Sequence, residues 1–193
     1  MHLIYVQPMR ILVVALLFFR CMESVSLGQI RSILDPYPVG TSATGTITFG
    51  DAYSTAIEAY DAKITMIEVI RGGRAWDLLR KQDASNKEPD SGFEYVLARV
   101  KFEFLAKGKP GDNVYDLRGD QFVAFSSDGS TEYAAANVVM ATPRLAGTLH
   151  SGDSVEGWVA FIVARDDPKP FTAFRADVRL LSHTGLGPSF RIY

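Results

Sequence analysis

Residues 94–105, EYVLARVKFEFL, set Val96, Ala98, Val100, Phe102 and Phe104 on one side and Arg99, Lys101 and Glu103 on the other. A period of two is the mark of a strand, because successive side chains leave a pleated backbone on opposite faces. One face of this strand must be buried and the other wet, so the fold needs a second apolar layer to close over it. The run at 171–180 (FTAFRADVRL) repeats the device, with Phe174, Ala176, Val178 and Leu180 inward against Arg175, Asp177 and Arg179. Residues 62–70 (AKITMIEVI) begin with Ala62, Ile64 and Met66 on one side, then place Glu68 there and Ile67 and Val69 opposite. That change of phase predicts a bulge near Met66.

Further strands follow the same logic. Residues 121–125, the Ser126–Ser130 turn with Asp128-Gly129, and residues 133–140 read as a hairpin, and 189–193 reads as a closing strand. In 151–163 (SGDSVEGWVAFIV), turn residues precede a strand with Val155, Val159, Phe161 and Val163 on the core face. Gly157 sits between them, and a missing side chain there marks a bulge or a close approach by another group. Trp158, Ala160 and Ile162 fall on the opposite face, so this strand is covered on both sides toward its end, by a helix or by the closing strand. Only residues 74–83 (RAWDLLRKQD) carry helical spacing, with Trp76 and Leu79 on one side and Ala75 and Leu78 beside them. Many short strands with one helix predict an all-β, immunoglobulin-like antiparallel β-sandwich with a helix inserted around residues 74–83. A closed barrel is the competing architecture.

The N-terminus departs from this pattern. Residues 11–19 (ILVVALLFF) form an apolar run behind Arg10, with small residues at Ser24, Ser26 and Gly28. A positive flank, a short apolar stretch and small residues at a cut point make a secretory signal, and nine residues are too few for the roughly 20 a membrane helix needs. The expected organisation is a signal peptide at 1–26, a tether at 27–45 and the sandwich at 46–193. MRILVVALLFF, starting at Met9, is a tighter form of the same signal. Cys21 stands where a lipoprotein would be lipidated, but Phe18, Phe19 and Arg20 before it are poor processing residues. Export would thus leave the chain secreted or extracytoplasmic, with Cys21 the one candidate membrane anchor.

A chain of 193 residues with 22% charged residues and a formal net charge of −2 has no basic stripe, which speaks against nucleic-acid binding. The three histidines are far apart, and no zinc motif, Walker loop, GxSxG or GxGxxG occurs, so neither a catalytic set nor a cofactor is expected. Asp112, Asp116, Asp120, Asp128, Asp166 and Asp167 read as turn and loop residues, since none has the spacing of a known calcium loop. Arg118-Gly119-Asp120 spells an adhesion tripeptide, but before a strand it is a turn. Glu94 is read as lying on the side opposite Val96 and as pairing with Arg71 or Arg74, which would pin the RGGRAW loop onto the sheet.

The segments RGGRAW (71–76), SGFEYVLARVKFEF (91–104), FVAFSSDGSTEY (122–133), LHSGDSVEGWVAFIV (149–163) and GPSFRIY (187–193), in that order, resemble a bacterial family of secreted proteins and lipoproteins, the domain of unknown function 4352. The resemblance covers about two thirds of the chain and implies an extracytoplasmic, telokin-like β-sandwich without established enzymatic activity. It transfers no catalytic residues. The first expectation is a non-catalytic module that binds a protein or another cell-envelope component, or that acts as a spacer. The second is a glycan or small-ligand module using Trp76 and Tyr95, and the third an enzyme of unrecognised type.

Overall fold

The computed structural model describes residues 34–50, 57–140, 142–176 and 186–193. The signal run, Cys21 and the 177–180 part of the 171–180 strand lie outside the described residues. Four antiparallel strands form the larger sheet in the order β1 (Ser42–Phe49), β2 (Glu58–Arg71), β3 (Phe93–Ala106), β7 (Ser154–Ala164). A second layer holds β5 (Phe122–Phe125), β8 (Phe171–Phe174) and β9 (Ser189–Arg191), while β4 (Tyr115–Arg118) pairs with β6 (Ala146–Leu149). The described residues form an all-β sandwich with one short α-helix among them, α1 (Gly73–Gln82).

Alternation does what the sequence pattern requires. Val96, Ala98, Val100, Phe102 and Phe104 of β3 are all fully buried, as are Tyr60, Ala62, Ile64 and Met66 of β2. They meet Phe122, Phe174, Phe190 and Ile192 from the second layer in one apolar cluster. Aromatic rings pack within and between the layers: Tyr60 stacks on Phe104 in the larger sheet at 4.6 Å between centroids, Phe122 lies 5.2 Å from Phe174 in the second layer, and Phe174 bridges to Phe102 across the core at 5.4 Å. Each such side chain contributes roughly 1.5–3 kcal/mol by leaving water.

The predicted bulge is present, with the β2–β3 register shifting between Met66 and Glu68. Beyond it Glu68 faces Arg99 and Ile70 faces Leu97, so the outer face stays in phase with β3.

Three expectations are corrected. The tether does not reach residue 45: Tyr37 already bridges Phe190, and β1 begins at Ser42. Its alternation is carried by Ala43, Gly45 and Ile47 between threonines, small residues that disguise a strand. Residues 133–140 form no strand; Glu132 bridges Phe125 and Ala135 bridges Phe161, so the segment leaves the turn and crosses to β7. Glu94 does not oppose Val96. The unbroken β3–β7 register places Glu94 opposite Val163 and Val96 opposite Phe161, so both point to the core side, with Glu94 at its rim.

Candidate functional site

The outer face of the larger sheet divides at Trp158. On one side of it, Ile70, Tyr95, Leu97, Ala160 and Ile162 form a second apolar cluster with Ala75, Trp76 and Leu79 of α1 and with Ala136, Val138 and Met140. On the other side the sheet is ionic: Lys63 and Lys101 each lie 3.2 Å from the Glu103 carboxylate, and Arg99 pairs with Glu156 at 2.5 Å. The hydrogen bonds from Lys101 and Lys63 hold the Glu103 carboxyl below the ordinary glutamate value.

The apolar half has a roof made of α1 and a strap formed by residues 133–140 and 142–145. Asn86, a buried polar side chain, joins the two. Its Nδ2 donates to the carbonyls of Leu79 (2.8 Å) and Val139 (3.0 Å), and its Oδ1 accepts from the Val139 N–H (2.7 Å). One side chain thus caps α1 and holds the strap backbone. At its far end the strap runs along β7. Trp158 N–H donates to the Pro143 carbonyl at 2.9 Å, and Leu145 N–H donates to the Trp158 carbonyl at 3.2 Å. A methyl group on Gly157 would collide with the Leu145 nitrogen and the Arg144 carbonyl. The glycine is the close backbone approach that its place in a strand predicts.

Two clasps hold the loops at the end of this half. The Arg71 guanidinium pairs with Glu94 through Nε, and another of its nitrogens donates to the Asp167 carbonyl at 2.6 Å. Both side chains are largely withdrawn from water, with 22% and 14% of their surface exposed. Gly72, at φ 68°, opens α1, and a Cβ there would lie 3.0 Å from Glu94 Oε2, so the carboxylate and the helix entry share one tight space. Arg74, the other candidate partner, is exposed on α1. In the second clasp the Asp167 carboxylate accepts from the Ser127 hydroxyl, the Ser127 N–H (3.1 Å) and the Tyr133 hydroxyl (2.8 Å). Burial alone would raise the Asp167 pKa, but the bonds from Ser127 and Tyr133 outweigh it and bring the group below its usual value. Burial and the same carboxylate push the Tyr133 hydroxyl up to about 12.

The candidate binding aromatics take different positions. Tyr95 is only 6% exposed and donates to the Lys87 carbonyl at 3.1 Å, and burial raises its pKa. Trp76 is half-buried against it, with ring centroids 6.1 Å apart. Tyr95 therefore offers no surface to a ligand, because its place in β3 faces the helix and not solvent. Trp158 is half-buried and borders two cavities. One, of about 340 Å³, lies between α1 and the sheet and is lined by Leu78, Lys81, Gln82, Leu97 and Trp158. The other, of about 230 Å³, lies under the strap, with Glu132, Arg144 and Arg175 among its lining. Arg175 there is held by Glu132 at 2.9 Å.

The aspartates serve turns and clasps. Asp128 accepts from Ser126 and Ser130, which hold its carboxyl at about 2, Asp116 accepts from Thr148, and Asp120 pairs with Arg118 of its own tripeptide at 3.2 Å. Among the described residues no three histidine, cysteine or acidic side chains gather as a metal site.

No family model matches the chain, and no curated protein matches it. Among solved structures it is similar to the crystal structure of the yjhA protein from Bacillus subtilis, at 11% identity and a TM-score of 0.45, over 77% of this chain and 87% of that one.

Proposed function

We propose that this chain is an exported, non-catalytic, immunoglobulin-like module that binds an envelope component or another protein, or holds such partners apart. The non-catalytic part rests on how two half-buried carboxylates are used. Glu94 holds Arg71 and the entry to α1, and Asp167 holds Ser127 and Tyr133, so both are engaged by the protein's own loops. The export part rests on the apolar run at 11–19 behind Arg10, and the ordered resemblance to the secreted family points the same way.

The test is production of the full chain, tagged at its C-terminus, in a bacterial host, followed by fractionation and mass spectrometry of the N-terminus. Recovery outside the cytoplasm with a new N-terminus after Ser26 is the expected result, while label from palmitate at Cys21 would instead identify an anchored form. Retention of the uncut chain in the cytosol would overturn the reading.

A further inference from the structure

We infer that the cavity walled by Trp158 is a binding site for a saccharide ring. The inference rests on the reading of the chain as an interaction module, though not on where the module resides. Three observations carry it. First, Trp158 stands where the outer face changes character, with its cross-strand neighbour Arg99 on the ionic side and Leu97, only 1% exposed, on the apolar side. Its side chain is half-buried and packed in the second cluster, its backbone is held by the strap hydrogen bonds, and it borders a cavity on the α1 side. An aromatic ring held rigidly with one part bare is a low-entropy platform for a flat apolar surface.

Second, the cavity is small and open, about 340 Å³, at the lower end of the roughly 300–1,000 Å³ typical of ligand pockets. A purely apolar ligand would leave much of its surface in water at such a mouth. A pyranose fits the mixture better, because one face is a row of C–H groups and its edge is a ring of hydroxyls.

Third, the rim supplies the matching polar groups. Lys81 and Gln82, both exposed in the last turn of α1, bring an ammonium and an amide to the same opening. The amide both donates and accepts, and the ammonium donates, so neighbouring hydroxyls of one ring are served from one side while Trp158 meets its C–H face. Beside this wall the Arg99 Nε is buried without a hydrogen-bond partner among the described residues, and another guanidinium nitrogen is held by Glu156. The site therefore uses a different aromatic from Trp76 and Tyr95. Trp76 of the roof and Tyr95 of the sheet stack on each other within the second cluster, outside the lining of this cavity.

The experiment uses the intact chain and a Trp76→Phe variant, which leaves Trp158 as the one indole of the two in the sequence. Each is titrated with cellotetraose, chitotetraose and lysozyme-solubilised peptidoglycan strands up to about 10 mM sugar, by tryptophan emission and by calorimetry. At least one probe should give a saturable change in emission from the Trp76→Phe variant. A Lys81→Ala/Gln82→Ala double variant, altered only at exposed positions, should lose about tenfold or more in affinity with its melting temperature unchanged. No saturable signal with any of the three probes, or equal affinity in the double variant, would overturn the site. Export without sugar binding would sink this inference alone, and sugar binding by a chain retained in the cytosol would sink the export reading alone.

Discussion

The two halves of the outer face of the large sheet share strands, pairing and twist, yet they are held in opposite ways. Where β3 and β7 carry Tyr95, Leu97, Ala160 and Ile162, a helix and a strap lie on top and the sheet becomes the middle of three layers. Four residues along the same strands, Lys101, Glu103, Ser154 and Glu156 lie on the outer face, and no layer of the described residues covers them. The first half gains from area removed from water, at about 25 cal/mol per Å². The second gains only the small net attraction of exposed ion pairs, about 0–1 kcal/mol each. What decides between them is side-chain chemistry along one strand, and the change falls at Trp158 and Arg99.

Substitutions on the two faces of β7 break this comparison at its strongest point. Phe161 points into the main core at 3% exposure, and Phe161→Ala is expected to cost about 3–5 kcal/mol in denaturant unfolding. A loss below about 1 kcal/mol would mean that the face is not enclosed. Gly157→Ala should come next. Its methyl meets the backbone of Leu145 and Arg144, which cannot turn aside as a side chain would, so the strap must lift from β7. The expected cost is about 1–3 kcal/mol, together with faster amide exchange at Leu145 and Trp158. Unchanged exchange at those two amides would refute the strap contact. Glu94→Gln follows at about 1–2 kcal/mol, since it leaves the half-buried Arg71 without its counter-charge, and a melting temperature equal to the parent's would count against the clasp.

The large sheet was legible in the sequence because its signal is periodic and local. The β3 alternation, the phase change at Met66 and the two faces of β7 all follow from apolar side chains two residues apart. The helix was legible from Ala75, Trp76 and Leu79, and it runs Gly73–Gln82, one residue earlier than the spacing indicates. The strap was not, because residues 133–140 carry a strand-like composition but take their backbone partners singly, from Ala124, from Phe161 and from the Asn86 side chain. Such contacts join residues far apart in sequence, 26 positions for Ala135 and Phe161 and 53 for Asn86 and Val139, and leave no local period. The clasp pair Arg71–Glu94 was named from charge alone, while its direction was misread because a carboxylate at a strand's rim was assumed to follow the wet face. Alternation puts Trp158 on the covered outer face, and the structure makes it half-buried in the second cluster and also part of a cavity wall. Lys81 and Gln82 carry no sequence signal for this role, since exposed polar residues in a last helical turn are ordinary.

The smallest expected effect sharpens the comparison from the open half. Lys63 lies 3.2 Å from Glu103 across the strand pair, with half its side-chain surface exposed at 50%. Lys63→Ala should change stability by no more than about 0.5–1 kcal/mol, and raising the salt concentration should shrink even that. Glu103 would keep Lys101, also 3.2 Å away, so its charge is not stranded by the loss. A cost comparable to that of Gly157→Ala would show that the ionic half is covered by something in solution, and the contrast between a roofed and an open half would then describe only the isolated chain.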